Sequence, residues 1–230
     1  ARMSSLDFIL EDDDTISTDK GVFLNVTRRL NKKICNYIST SFYDSRLTSD
    51  PITETRSVNL KLDPIKDEGL FYVPIDHNGC SQRSDEEADL VEKVFNKIVN
   101  KEYKSENITG KISAKDIMVV APYNAQANNI RERLKKKFKD DVRVGTIDLF
   151  QGQEAKVVLI SMTTSDVESL PRHKDFFFSR NRLNVAISRA ECVAIIIFNE
   201  NLLLASASNI KEMKLINSFC KLLEFKTNYK

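Results

Sequence analysis

Two arginines, Arg182 and Arg189, are the side chains in this 230-residue sequence best placed to bind an anion. They fall within a stretch whose apolar positions indicate a helix at about 181–190. Seven positions correspond to nearly two helical turns, so both side chains project on almost the same azimuth. They flank the apolar stripe of the helix, whereas the arginines of a solvated helix usually lie opposite it. Because a guanidinium offers a planar fork of donors to phosphate oxygens, we interpret this pair as part of a nucleotide-facing site.

A polar run at residues 142–154, just before an apolar strand, offers a second set of groups. Gly152 would let the backbone approach a ligand without interference from a Cβ atom, and an ordinary turn glycine is the alternative. The Glu154 carboxylate could accept hydrogen bonds from ribose hydroxyls. Thr146 and Asp148 could lie on the opposite side of the run and face a nucleic-acid backbone. The run therefore predicts contacts to both a nucleotide and a nucleic acid.

Two further polar stretches follow predicted strands, which is where ligands gather in open α/β sheets. Arg28 and Arg29 follow a short predicted strand at Val22–Val26; they either reach phosphate oxygens or form a solvated pair. Pro122 and Tyr123 join a predicted strand to a helix N-terminus, where free N–H groups suit a phosphate and the ring could stack on a base. An ordinary turn that is terminated by Pro122 is the alternative.

The elements that must position these groups alternate between strands and helices. Continuous apolar strands separated by helices predict an α/β fold with a mostly parallel sheet that is covered by helices on both faces. We expect strands at 22–26, 70–75, 117–121, 157–162 and 193–198, and a loop at 44–69. We expect helices after an Asn31 cap, after a capping box at Ser84–Glu87, at about 124–138, at about 181–190 and after Asn209.

Composition indicates a globular protein with a sizeable core, since 41% of the residues are hydrophobic and 30% are charged. The net charge of +2 is too even to argue for or against nucleic acid. We expect one domain at residues 21–226, a tail at 227–230, and a linker or the edge of a cut piece at 1–20. The opening residues Ala-Arg-Met fit a piece taken from a longer protein.

Neither a metal site nor a membrane contact is expected. The four cysteines lack Cys-x-x-Cys spacing, and the two histidines have no companion ligands nearby. Reduced thiols indicate a cytoplasmic protein, or a nuclear one in a eukaryote. No apolar run approaches the ~20 residues that span a bilayer. The basic run from Arg131 to Lys139 is interpreted as the solvated face of its helix, with a nucleic-acid patch as the alternative.

Taken in order, four segments resemble motifs of the second, C-terminal RecA-like domain of superfamily 1 helicases. The branch is that of the nonsense-mediated-decay helicase and the replication helicase-nucleases. Residues 24–30, followed by Ser41-Phe42-Tyr43, are similar to Leu-x-x-Gln-Tyr-Arg-Met with its trailing Phe-Tyr; Thr27 and Arg28 depart from the Gln-Tyr, and Arg29 falls on the arginine. The other three are Val119–Tyr123 with Gln126, the Gln-Gly-x-Glu motif at 146–154, and the last motif at 182–190. The resemblance implies a RecA-like, three-layer domain from Val22 to about Leu203.

The resemblance also implies roles at a nucleotide. Arg29 and Arg189 would be the catalytic arginine fingers, which contact the γ-phosphate of ATP from across a cleft, and Arg182 would brace them. The rest of the nucleotide-binding set would be Gly152, Gln153 and Glu154, with Glu154 on the ribose. The sequence has no Gly-x-x-x-x-Gly-Lys-Ser/Thr phosphate cradle. ATP and Mg²⁺ would therefore be held mainly by the first RecA-like domain of the same parent chain.

The implied macromolecular partner is single-stranded DNA or RNA, along which this branch moves 5′→3′. The residues near the strand would be Pro122, Tyr123, Thr146 and Asp148.

Two other functions stay open at this point. Asp148, Glu154 and Lys156 have the residue types of a metal-dependent nuclease, in which carboxylates hold magnesium and a lysine steadies the attacking water. The second is a non-catalytic docking module that has kept the helicase fold and lost the motor.

Overall fold

The computed structural model describes residues 15–106, 108–165 and 179–227, without the side chains of residues 211 and 223–227. Residues 1–14 of the expected linker and residues 228–230 of the expected tail lie outside the described residues. No helix in the described part of the chain is long and apolar enough to cross a membrane.

Every expected helix is present, and most begin within a residue of the predicted position. The helices are α1 (Lys32–Phe42), α2 (Asp85–Ile98), α3 (Asn124–Phe138), α4 (Arg180–Ile187) and α5 (Ile210–Thr227). Asn31 caps α1 because its Oδ1 accepts a hydrogen bond from the N–H of Ile34 at 3.0 Å. Ser84 caps α2 by accepting from the N–H of Glu87 at 3.0 Å. The predicted capping box is only half right, because the N–H of Ser84 donates to Gln126 and the Glu87 carboxylate is buried elsewhere.

Five parallel strands form the central sheet. The ten strands of the described chain are β1 (Val26–Thr27), β2 (Thr48–Ser49), β3 (Ser57–Val58), β4 (Gly69–Pro74), β5 (Glu102–Ser105), β6 (Ile108–Lys111), β7 (Ile117–Val120), β8 (Arg143–Gly145), β9 (Ala155–Ser161) and β10 (Ala190–Phe198). The order in the central sheet is β4-β10-β9-β7-β8, and every neighbouring pair is parallel. Ala190 pairs with Ala155, so the first residues of β10 and β9 lie side by side.

Alternate residues along each strand face two separate hydrophobic cores. Val158 and Ile160 of β9 pack in a core with α1, α4 and α5, whereas Val157 and Leu159 pack in a second core with α2 and α3. All four side chains are at most 3% exposed. Burying each such side chain contributes about 1.5–3 kcal/mol. Helices on both faces of a parallel sheet confirm the predicted α/β, three-layer fold.

Two expectations about the first third of the chain were wrong. Val22 and Leu24 are 85% and 81% exposed, and only Val26–Thr27 of the predicted strand pairs, with β2. The alternating apolar residues of that segment face outward because no sheet neighbour covers them. The expected loop at 44–69 contributes β2 and β3, and β3 joins an antiparallel sheet of order β3-β5-β6 that the hydrophobic pattern did not reveal.

Candidate functional site

Parallel pairing of β9 and β10 brings two of the predicted site segments together. Gln153 and Glu154 immediately precede β9, and Arg189 immediately precedes β10. The N–H of Ala155 donates to the carbonyl of Arg189 at 2.9 Å, which fixes the two loops side by side. These residues therefore lie at the amino ends of the strands. This location differs from the carboxyl ends of β7 and β8, where Pro122 and Thr146 lie.

Arg29 reaches the same edge because Asn31 anchors its segment to β10. The Asn31 side chain donates to the carbonyl of Cys192 at 2.6 Å, and its N–H donates to the carbonyl of Glu191 at 3.2 Å. Asn31 is fully buried, so both bonds are shielded from water. Arg56 adds a further restraint by donating from Nη1 to the carbonyl of Arg29 at 2.8 Å. Asn31 thus caps α1 and also sets the position of Arg29, two residues before it.

We call Arg29, Gln153, Glu154 and Arg189 the arginine cluster. Arg29 Nε donates to Glu154 Oε2 at 2.7 Å, and Arg29 Nη1 reaches the carbonyl of Ser188 at 3.4 Å. Arg189 Nη1 donates to the carbonyl of Gln153 at 3.2 Å. The cluster contains two guanidinium groups and a single carboxylate, so it is suited to an additional anion.

Arg189 is held in a position that is costly for a cation. It is 9% exposed, and its buried Nε has no hydrogen-bond partner. Burial lowers the pKa of Arg189, and the nearby positive charge of Arg29 lowers it further. An arginine stays protonated even so. A buried donor without a partner, next to a second positive charge, destabilises the fold, so a functional role for Arg189 is the better explanation.

A groove of about 510 Å³ adjoins the cluster, a volume within the usual range for ligand pockets. Arg29, Glu154 and Ser188 line its polar side, and apolar side chains such as Phe23 and Leu24 line the other. No three His, Cys, Asp or Glu side chains of the described residues converge on a possible metal position.

The second predicted set lies at the carboxyl ends of β7 and β8. Arg182 is the third residue of α4 and donates from Nη1 to Asp148 Oδ2 at 3.2 Å. Arg182 and Pro122 also line one small cavity of about 40 Å³. Arg182 therefore lies with Asp148 and Thr146 at this edge. That Arg182 braces Arg29 and Arg189 stays a prediction.

Tyr123 does not fit the predicted stacking role. Its ring is 6% exposed and packs in the core with α1 and α4. A buried ring offers no free face to a base, so we correct this prediction. Gly152 has a φ of +79°, in the region that side chains rarely adopt, and a Cβ there would meet nothing within 4 Å. The turn conformation alone is sufficient to explain this glycine.

Ion pairs within the fold engage two cations of the basic run of α3, and they engage Lys156 as well. Arg133 binds Asp85 and Asp89 of α2, and Lys135 binds Asp140, which supports the interpretation of the run as a solvated face. Lys156 forms an ion pair with Asp116, whereas Asp148 pairs with Arg182 and Glu154 pairs with Arg29. The three side chains of the nuclease alternative are therefore not assembled into one site.

Sequence reasoning missed two arginines beside the arginine cluster and one buried carboxylate at the opposite, carboxyl end of β9. Arg56 and Arg143 hold backbone carbonyls of the cluster, at Arg29 and Glu154 respectively. Glu87 looked like a capping residue, yet it is fully buried and accepts from Ser161 and from the N–H of Thr163. No local pattern marks the two arginines, since their partners are distant in sequence.

Fold and site together define an α/β domain with a cluster of arginines at one edge of its parallel sheet. The sequence profile of the family described as AAA domain matches residues 6–201 of this chain. The DNA polymerase alpha-associated DNA helicase A of Schizosaccharomyces pombe is 31% identical over 191 residues, covering 78% of this chain and 28% of that protein. An uncharacterized ATP-dependent helicase of Methanocaldococcus jannaschii is 30% identical over 201 residues, covering 78% and 27%. An arterivirus nonstructural protein 10 helicase structure aligns at 17% identity over 76% of this chain and 25% of its own, and its TM-score of 0.33 is too low to carry an argument.

The chain belongs to the AAA domain family, as a domain of the superfamily 1 helicase type. It spans only about a quarter of the length of these first two relatives, 28% and 27%.

Proposed function

We propose that this chain is the second, C-terminal motor domain of an ATP-dependent helicase that moves 5′→3′ along single-stranded DNA or RNA. The observation that carries the proposal is the meeting of Arg29 and Arg189, from distant segments, at one edge of the sheet. In this proposal both guanidinium groups neutralise charge that develops on the transferring phosphoryl group of ATP. Arginine fingers of this kind contribute roughly 10³–10⁵ in rate.

The Arg29–Glu154 ion pair suits a change of partners. Its side chains are 32% and 52% exposed, and an exposed pair of this kind contributes only about 0–1 kcal/mol. A phosphate oxygen could therefore replace the Glu154 carboxylate on Arg29 at little cost. Glu154 would then be free to accept hydrogen bonds from the ribose, beside Gly152 and Gln153.

The donor set of the cluster fits the phosphates of ATP and does not fit Mg²⁺. Guanidinium groups only donate hydrogen bonds, and the single carboxylate is already engaged by Arg29. Mg²⁺ takes carboxylate and phosphate oxygens. We therefore assign Mg²⁺, together with the phosphate cradle, to the first RecA-like domain of the parent chain. Opening and closing of the cleft between the two domains would turn hydrolysis into steps along the strand.

The nucleic-acid track is proposed at the carboxyl ends of β7 and β8, along Pro122, Thr146 and Asp148. Arg182 joins this set because it pairs with Asp148 there, and it supplies a cation that phosphate contacts require. Binding by so few cations is expected to be weak and to fall as salt rises.

The full-length parent tests the proposal through its single-strand-stimulated ATPase. Arg29→Ala is expected to lower kcat by about 10³-fold, because one arginine finger is removed. Arg83→Ala is the matched control, since this exposed arginine pairs with Asp85 far from the cluster. Unwinding assays on substrates with a 5′ or a 3′ overhang test the direction. A parent that shows no stimulated ATPase supports the docking-module alternative instead.

The isolated chain is expected to hydrolyse no ATP and to bind single strands weakly at low salt. Turnover by the isolated chain that Arg189→Ala abolishes would contradict the assignment of the phosphate cradle to another domain. Fluorescence anisotropy that detects no binding at low salt would remove the proposed track from this half.

A further inference from the structure

Arg143 is a third arginine beside the cluster, and it holds the segment that carries Glu154. It is the first residue of the edge strand β8. Its guanidinium donates to the carbonyl of Glu154 at 3.0 Å, to Gln153 Oε1 at 3.0 Å and to the carbonyl of Lys115 at 3.1 Å. The side chain thus bridges the residues that precede β7 and β9.

The Gln153–Glu154 segment accepts hydrogen bonds from arginines on both sides of β9. Arg143 binds it from the β8 side, whereas Arg189 binds the carbonyl of Gln153 from the β10 side. The segment follows the turn at Gly152 and ends where β9 begins. Its position therefore depends on these two arginines, and only one of them is in the proposed catalytic pair.

Asp116, the carboxylate whose charge acts on Arg143, forms its ion pair with another residue, Lys156. Asp116 raises the pKa of Arg143, but burial has the larger effect and lowers it. Asp116 itself forms an ion pair with Lys156 and accepts from Ser113. The three guanidinium bonds of Arg143 consequently go to backbone and amide oxygens, a geometry that locates a segment more than it neutralises a charge.

We propose that Arg143 is a positioning residue, which holds the Gln153–Glu154 segment so that the Glu154 carboxylate faces Arg29 and the ribose of the bound nucleotide. This inference rests on the proposed function, in which Glu154 binds the ribose. Arg143 itself touches neither the nucleotide nor the arginine fingers. Its effect is therefore expected on nucleotide binding and not on the chemical step.

The test is the single-strand-stimulated ATPase of the full-length parent, measured as separate kcat and KM values. Arg143→Ala is expected to raise the KM for ATP about tenfold, because the bonds that hold the Gln153–Glu154 segment are lost. The kcat is expected to change less than about threefold. Arg131→Ala is the matched control, because Arg131 donates to the carbonyl of Val144 on the same strand and contacts neither Gln153 nor Glu154. The control is expected to keep the KM within about twofold.

A double-mutant cycle separates positioning from a general loss of structure. If Arg143 acts through Glu154, Arg143→Ala changes the KM less than about twofold in a Glu154→Gln background. Arg143→Lys, which keeps the charge and loses the fork, is expected to give an intermediate KM and serves if the alanine variant fails to fold.

Four outcomes decide between these failures. An Arg143→Ala variant that matches Arg131→Ala, or effects of Arg143→Ala and Glu154→Gln that multiply in full, overturn the positioning role. A wild-type parent without stimulated ATPase, or an Arg29→Ala variant with full activity, overturns the proposed function itself. The two failures are therefore distinguishable in one set of measurements.

Discussion

Removing the Arg189 guanidinium should abolish catalysis while leaving the fold nearly unchanged. The side chain makes one described hydrogen bond, to the carbonyl of Gln153 at 3.2 Å, and an ordinary bond contributes about 0.5–1.5 kcal/mol. The Arg189→Ala change also relieves a buried donor without a partner and the repulsion by Arg29. These effects oppose each other, so we expect the free energy of unfolding to change by about 1 kcal/mol at most.

The expected effect on catalysis is much larger. A loss of about 10³-fold in kcat corresponds to about 4 kcal/mol of transition-state stabilisation. The assay is the ATPase of the full-length parent at saturating ATP and single strand, with urea unfolding of the same samples. Arg189→Lys should lie between wild type and Arg189→Ala, because an ammonium keeps the charge without the planar fork. An Arg189→Ala variant that keeps more than about a tenth of wild-type kcat would refute the reasoning.

Three further predictions concern two buried groups and one half-buried group. Glu87→Ala breaks the buried pair with His77 and the hydrogen bond from Ser161 of β9. In urea titrations it should lower the free energy of unfolding by about 3–5 kcal/mol. The exposed control Glu86→Ala should lower it by less than about 0.5 kcal/mol. Burial alone would raise the pKa of Asp116, but hydrogen bonds from Lys156 and Ser113 outweigh burial, and the pKa lies below its ordinary 3.8. The charged carboxylate should therefore contribute about 1.5–3 kcal/mol to the free energy of unfolding, in full above pH ~4. That contribution should decline as the pH falls further, so that Asp116→Asn matches wild type in strong acid. Burial raises the pKa of the Cys35 thiol to about 11, and peptide mass spectrometry should show alkylation of the native protein at pH ~8 at least ~100-fold slower than for a free peptide thiol.

Each of these three predictions has a clear contrary result. Glu87→Ala and Glu86→Ala variants of equal stability would show that the buried carboxylate contributes no net stabilisation. A stability gap between wild type and Asp116→Asn that widens in acid would mean that the pKa shift has the opposite sign. Rapid labelling of Cys35 in the native protein would mean that the core around α1 opens readily.

The helices and the central strands were predictable because their signals are local. Apolar periodicity and the caps at Asn31 and Ser84 place the helices, and continuous apolar runs place β7, β9 and β10. The antiparallel sheet of β3, β5 and β6 was missed because its short strands carry mixed polar residues without a clear alternation. The segment at 22–26 misled for the opposite reason, since apolar residues alternate along it as in a strand but only its last residue, Val26, pairs with another strand.

The sequence predicted which residues form the candidate site better than it predicted where they lie in the fold. Arg29, Glu154 and Arg189 could be chosen from motifs, and the structure brings them together. Their location at the amino ends of the strands depends on the register of β9 against β10, which no single segment encodes. Arg143 could not be found from sequence, because the carbonyls it binds lie just before two other strands and are distant in sequence. Tyr123 was misassigned because burial in a core depends on tertiary packing.

A structure of the full-length parent bound to ADP, aluminium fluoride and a single strand tests the central claim most directly. We predict that a guanidinium nitrogen of Arg29 and one of Arg189 each lie about 3 Å from the fluoride that mimics the transferring phosphoryl group. We also predict that Arg29 has exchanged Glu154 for that group. A complex in which either guanidinium lies out of hydrogen-bond reach of the fluoride, or faces another surface, would contradict the account.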